Sequence, residues 1–352
     1  MSKSIGNINK NDRLLQENKQ RDHKREYKDS IKQYVRKNGW VPAAKERLAK
    51  ANKNGSKYLK YFTLCAGNAI DVLWFSRKEG LIYSNEIGFP EVVYCEHNPD
   101  EYENIARRLG RTVGYLAEIE DLILKNDPDN SEDFYSQLPF DVYNLDFSGV
   151  CFPRSEPPFS KTLKSIVTLI EVMGEQRYQH SFDIFFTFRA NKTDENNEAI
   201  KELKGNLREN RKSFPEFNKL ITQNYGNKLE GFEGHYHKFL LITLPKYLGR
   251  CACNLGFEVK VTHRYYYSRP NPEHANYHII SFGLSFEWVG GNTNLNKSLR
   301  QPVPNQEIRN QGYYSMMMGL VKEDICNVDA VRFERQQFLE EVQELLEAVE
   351  GE

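Results

Sequence analysis

Three short stretches between Leu59 and Phe147 carry side chains able to hold a nucleotide-like ligand. In the first, Tyr61-Phe-Thr-Leu-Cys-Ala-Gly-Asn-Ala-Ile70 breaks at Gly67 and runs into Asp71-Val-Leu-Trp-Phe75. That pattern predicts strand, tight turn and helix, with the loop residues Thr63, Cys65, Ala66, Gly67 and Asn68 and the helix N-terminus turned to a ligand's polar groups. In the second, Val92-Val-Tyr-Cys-Glu96 ends on an acid before a helix start at Asn98-Pro99-Asp100. A carboxylate there can accept hydrogen bonds from both ribose hydroxyls. In the third, Phe140–Asp146 carries Asn144 and Asp146 at a strand end, where they can orient or deprotonate an acceptor. Each feature has a plainer reading: Gly67 as an ordinary helix-entry turn, Glu96 as a solvated strand end, Asp146 as an N-cap. Their occurrence together, in βαβ order, favours the functional one.

These groups meet only if strands place them at one rim, as an open α/β sheet does at its carboxyl ends. The remaining chain supplies such strands. Helix Pro99–Leu109 precedes a strand at Thr112–Leu116, which leads into the acidic turn Glu118-Ile-Glu-Asp121. After a Pro-rich loop, Phe159–Met173 is an amphipathic helix and Phe182–Phe188 a fifth strand. Residues 190–230 leave this rhythm as a charged helical insertion. Phe257–Tyr267 and Tyr277–Trp288, joined by a Pro/Asn loop, form an antiparallel hairpin closing a parallel series. The expected fold is α/β, a Rossmann-like, mostly parallel sheet ending in that hairpin, over residues 58–290. A basic helical arm (1–57), poorly ordered over residues 1–22, precedes it, and an extension with an amphipathic acidic helix (291–352) follows.

This order of elements resembles the class I S-adenosylmethionine-dependent methyltransferases, on Thr63-Leu-Cys-Ala-Gly-Asn-Ala69, Glu96, Asn144-Leu-Asp-Phe147 and the hairpin around Val259–Phe286. The run Asn144-Leu-Asp-Phe-Ser-Gly149 is similar to the tRNA guanine-N2 dimethyltransferases and the three-Cys-motif partner proteins. The resemblance implies S-adenosylmethionine as cofactor, its methionine end at the glycine loop, its ribose on Glu96, its adenine near Glu118 or Glu120, and the transferred methyl near Asn144 or Asp146. The chain departs from the family at Thr63, where an acid is usual, and at Cys65 and Ala69, where glycines are usual. A catalytically silent Rossmann-like module that binds nucleic acid or a partner protein is the rival reading.

Charge bears on the acceptor. Residues 1–60 hold 17 Lys/Arg against 6 Asp/Glu, while the whole chain has a net charge of −1. A basic arm on an acidic body can bind nucleic acid or lie on its own body. Lys24, Arg25, Lys28, Lys32 and Arg36 would line its solvent side, and Arg264, Tyr265, Tyr266, Tyr267 and Arg269 form an aromatic-basic cluster suited to a base or phosphate. Nucleic acid is therefore the expected partner, with a protein partner possible through the C-terminal helix. The six cysteines show no CxxC pair, so neither a disulfide framework nor a metal site is expected. No apolar run is long enough to span a bilayer and no secretory signal is evident, so the sequence reads as cytoplasmic with no membrane partner.

Overall fold

The computed structural model describes residues 29–53, 55–154, 160–175, 178–226, 235–269, 277–289 and 306–350. Lys24, Arg25 and Lys28, the expected disorder of residues 1–22, and the hairpin loop 270–276 lie outside them. Helix α1 (Ser30–Val35) is capped by Asp29, whose carboxylate accepts from the N–H groups of Ile31 and Lys32. It passes through a π-helical turn, Arg36–Trp40, into α2 (Val41–Asn52). Gly39 sits in that turn because a Cβ there would lie 2.7 Å from the Tyr265 ring.

The sheet begins with β1 (Tyr61–Thr63), α3 (Ile70–Leu73, continued by a π turn), β2 (Val92–Glu96), α4 (Pro99–Leu109) and β3 (Val113–Leu116). Helices α5 (Ile119–Leu124) and α6 (Pro128–Gln137), β4 (Val142–Asp146), α7 (Lys161–Met173) and β5 (Phe182–Ala190) follow. Next come α8 (Asn197–Ser213), α9 (Pro215–Tyr225), α10 (Tyr236–Leu255), β6 (Phe257–Arg269) and β7 (Tyr277–Trp288). The chain ends with α11 (Gln306–Lys322), the short β8 (Cys326–Asn327) and α12 (Arg335–Glu350). Spatial order is β3-β2-β1-β4-β5-β7-β6-β8. Strands β1 to β5 are parallel, and β7 runs antiparallel between β5 and β6. The fold is thus α/β and Rossmann-like.

Strands buried on both faces read as continuous apolar runs rather than alternating ones. Alternation instead assigns neighbouring residues to two cores: Phe62 and Phe186 face α5 to α11, while Tyr61 and Phe185 face α1, α2, α3 and α12. Apolar Tyr236–Leu244 and the segment after it form one helix, α10, with Pro245 inside and most side chains buried. Strand β6 starts with strict alternation (Phe257, Val259 and Val261 buried; Glu258 and Lys260 exposed) until a bulge between Val261 and His263 breaks it. Beyond the bulge both His263 and Arg264 are buried. No described helix is long and apolar enough to cross a membrane.

Candidate functional site

The carboxyl ends of β1, β2, β4 and β5 open on a cleft of about 820 Å³, within the usual range for small-molecule and cofactor sites. Cys65, Ala66, Glu96, Glu118, Glu120 and Asp146 line it together. Glu96 is held by its own turn: Oε1 accepts the Asn98 N–H at 2.7 Å, while Asn98 caps α4 by accepting from Asp100 and Glu101. Glu120 accepts the Thr162 hydroxyl at 2.7 Å, and the more exposed Glu118 pairs with Lys161 at 3.4 Å. Acids therefore gather at the β2 and β3 end of the cleft. The opposite wall is basic and aromatic, with Arg189, Tyr267, Arg269 and Tyr277. Arg189 lies 5.5 Å from the centre of the Tyr277 ring and pairs with Asp194, and Arg269 pairs with Asp29.

The glycine loop is built differently from its sequence expectation. Thr63 and Asn144 are wholly buried and converge on Asp71, to whose Oδ2 the Thr63 hydroxyl donates at 2.7 Å and the Asn144 amide at 2.9 Å. The Tyr61 hydroxyl donates to the same oxygen at 2.8 Å. Burial first, and then the Asp71 charge, push the Tyr61 phenol well above its ordinary range, so it stays a donor. Thr63 and Asn144 thus hold Asp71 rather than line the main cleft, Asn144 lining the inner cavity instead, and Asp71 brings a carboxylate from α3 to the β1 end. Gly67 packs on α4, where an added Cβ would strike the Glu101 carboxylate at 1.8 Å. Neither Gly67 nor Asn68 lines the main cleft; Asn68 lines a smaller inner cavity of about 10 Å³ with Cys65, Ala66 and Asp146. Ala69 adopts φ 46° at the N-cap of α3, a left-handed conformation natural to glycine.

The basic residues also depart from expectation. Lys32 faces inward and pairs with Asp146 at 2.5 Å, so Lys32 belongs to the cleft rather than to an external phosphate track. Arg36 is buried over the Trp40 ring, 5.6 Å from its centre, and lines the inner cavity. Its Nε and Nη1, and the Oδ1 of Asn144, have no hydrogen-bond partner among the described residues. Arg264 is corrected outright: the bulge turns it into the interior, where Nη2 donates to the Glu323 carbonyl at 2.5 Å. Tyr266 stacks on His237 with ring centres 4.2 Å apart, away from the cleft lining. Of the expected hairpin cluster, Tyr267 and Arg269 line the cleft. Asp71, Arg189 and Tyr277 escaped sequence reasoning, although Asp71 lies four residues past Gly67; Thr187, inside β5 and paired with Asp146, also lines the cleft.

Cysteine nucleophile chemistry does not fit. Burial raises both the Cys65 and the Cys95 thiol, and nearby carboxylates add to this, Asp71 and Glu96 for Cys65 and Glu96 and Glu120 for Cys95. Among the described residues no cluster of three His, Cys, Asp or Glu could hold a metal ion. Fold and geometry together define a Rossmann-like protein with a ligand-sized cleft at the carboxyl rim of its parallel strands. No protein-family model and no curated protein matches the sequence.

Proposed function

We propose that this cleft binds S-adenosylmethionine and that the chain is a methyltransferase acting on nucleic acid. One observation carries the reading: Cys65 and Ala66 after β1, Glu96 after β2, Glu118 and Glu120 after β3, and Asp146 at the end of β4 converge on a single cleft large enough for an adenosyl ligand. The strand order, with β7 alone reversed among the long strands, supports it. Glu96 would hold the ribose hydroxyls, Glu118 or Glu120 the adenine side, and Lys32 the carboxylate. The bound cofactor would supply an electrophilic methyl group. Asp146 orients the acceptor, and Arg189 and Arg269 hold a phosphate beside it while Tyr267 and Tyr277 offer faces for a base.

Calorimetric titration with S-adenosylmethionine and with its demethylated product tests the reading. Glu96→Ala should weaken binding by about 1–3 kcal/mol through loss of charge-assisted hydrogen bonds. Absence of binding of either compound at millimolar concentration ends the proposal. The Lys32–Asp146 pair favours a second reading, a binding module without chemistry, because it already neutralises the carboxylate assigned to the acceptor. Transfer of labelled methyl groups to RNA or DNA separates the two. Incorporation abolished by Asp146→Asn, with cofactor affinity retained, supports the enzyme, and cofactor binding without incorporation supports the module.

A further inference from the structure

A second cavity lies on the helical layer, built by elements outside the strand-helix rhythm. Helices α8, from the charged insertion, and α11, from the C-terminal extension, stand against one face of α10 and form a half-open pocket of about 480 Å³, with Arg250 exposed. Thr243, Lys246, Tyr247 and Arg250 lie on that face at the i, i+3, i+4, i+7 spacing of a single helical stripe. The helices are held tightly, since a Cβ on Gly249 would meet Met316 Cε at 2.2 Å. The cavity is therefore bounded by packed elements.

Its chemistry is one-sided. Among the described residues that line it, none carries a carboxylate, whereas Lys246 and Arg250 both carry positive charge. Lys246 is only 3% exposed and has no hydrogen-bond or ion-pair partner among the described residues. Burying an ammonium without a counter-charge costs several kcal/mol, a cost an anion in the cavity would offset. Burial, then the Arg250 charge, lower its pKa to about 8, which leaves it mostly protonated at neutral pH. Arg250 is positioned over the Tyr313 ring at 4.8 Å and reaches Asn310 Oδ1 at 3.4 Å, while the Tyr313 hydroxyl accepts from Asn210 at 2.8 Å. The guanidinium is thereby oriented by neutral neighbours. Cys251, whose thiol burial raises, is no nucleophile here.

We propose that the cavity between α8, α10 and α11 is a binding site for a small organic anion, its phosphate or carboxylate head on Lys246 and Arg250 and its body against Phe214 and Tyr247. It is separate from the strand-end cleft and does not depend on the function proposed there.

Pyridoxal phosphate, an anionic aldehyde, is a direct probe on the full chain. The Lys246 amine adds to the aldehyde carbon, water leaves, and sodium borohydride then delivers hydride to the imine carbon while solvent protonates the nitrogen. Peptide mapping should place the label on Lys246 ahead of the surface lysines. Inorganic phosphate or benzoate should protect it, and the more effective of the two identifies the head group. Arg250→Gln should weaken that protection about tenfold, equivalent to about 1.4 kcal/mol, while Lys246 remains reactive. Lys246→Met, which removes the buried charge and keeps the shape, should fold and lose the label. Label spread over surface lysines, or Lys246 labelling that neither anion reduces, overturns the proposal.

Discussion

Ala69 shows how one dihedral angle constrains the loop beneath the cleft. At φ 46° an alanine sits where the left-handed region costs about 1–2 kcal/mol. Ala69→Gly relieves that cost and gives up one buried methyl, worth about 0.8 kcal/mol, so denaturant midpoints should barely move. Ala69→Val adds a branched side chain at a position 1% exposed and should cost more than about 2 kcal/mol; equal stability of the two variants would contradict the assigned backbone. Glu195 makes a second case. It is fully buried, with Oε2 accepting the Phe152 N–H at 3.0 Å, and burial pushes its pKa up to about 8. The folded state then keeps a proton that the unfolded chain releases near pH 4.5. Its contribution is complete below pH 4.5 and is lost as pH rises through about 8, with a slope near 1.4 kcal/mol per pH unit. Glu195→Gln is permanently neutral, so the stability difference between variant and wild type should widen in the variant's favour from pH 5 to pH 8.

At the scale of elements, the described helices of the basic arm, α1 and α2, are a packed part of the body. Arg47 on α2 donates to Asp183 through Nε at 3.0 Å and Nη2 at 2.6 Å, and to the Ser285 hydroxyl at 2.9 Å, pinning α2 to β5 and β7. On the other side, α12 buries Phe338, Val342 and Leu345 with α1 and α3, and Lys37 meets Glu341 at 3.1 Å. Of the two fates open to this apolar face, packing on the body or pairing with a partner helix, the chain takes the first. Arg47→Met strands the buried Asp183 charge and should cost about 3–5 kcal/mol, whereas Lys37→Ala breaks a partly exposed pair and should cost less than about 1 kcal/mol. Urea titrations of the two variants check the contrast, and a small Arg47 effect would refute the pin. Element type was legible wherever period and caps agreed, as in Pro99–Leu109 and Tyr277–Trp288, whose bounds match the structure. The side on which a charge falls was not legible. Arg264 reads as a hairpin cation until a bulge turns it inward, and Lys32 reads as a solvent-facing cation until Asp146, more than a hundred residues away, supplies its partner.

Across the whole molecule, buried titrating groups oppose one another. Burial holds the His237 and His263 imidazoles at about 3, so each takes up a proton on unfolding below pH 6.5. Each contributes stability that is present above pH 6.5 and lost as pH falls toward 3, at about 1.4 kcal/mol per unit. Between pH 6.5 and 4.5 Glu195 works in the other direction with one such slope against two, so the histidines win. Unfolding free energy from these groups should fall on acidification through that window, and His237→Gln with His263→Gln should reverse its sign. The strand-end groups were legible at this scale because parallel strands deliver their carboxyl ends to one rim, whereas the Asp71 hub joins Tyr61 and Thr63 of β1 to Asn144, 73 positions away, and so has no wholly local signature.

The contact of α12 with α1 also orders events during synthesis. Lys37 and Glu341 are separated by 304 positions, so at about 5–20 residues per second the ribosome needs roughly 15–60 s after making the first to deliver the second. Until then Tyr34 lacks the rings of Phe333 and Phe338 that cover it in the finished molecule. The first described helix is accordingly among the last to settle, and a nascent chain halted before residue 333 should leave it open to protease while the central strands are already protected.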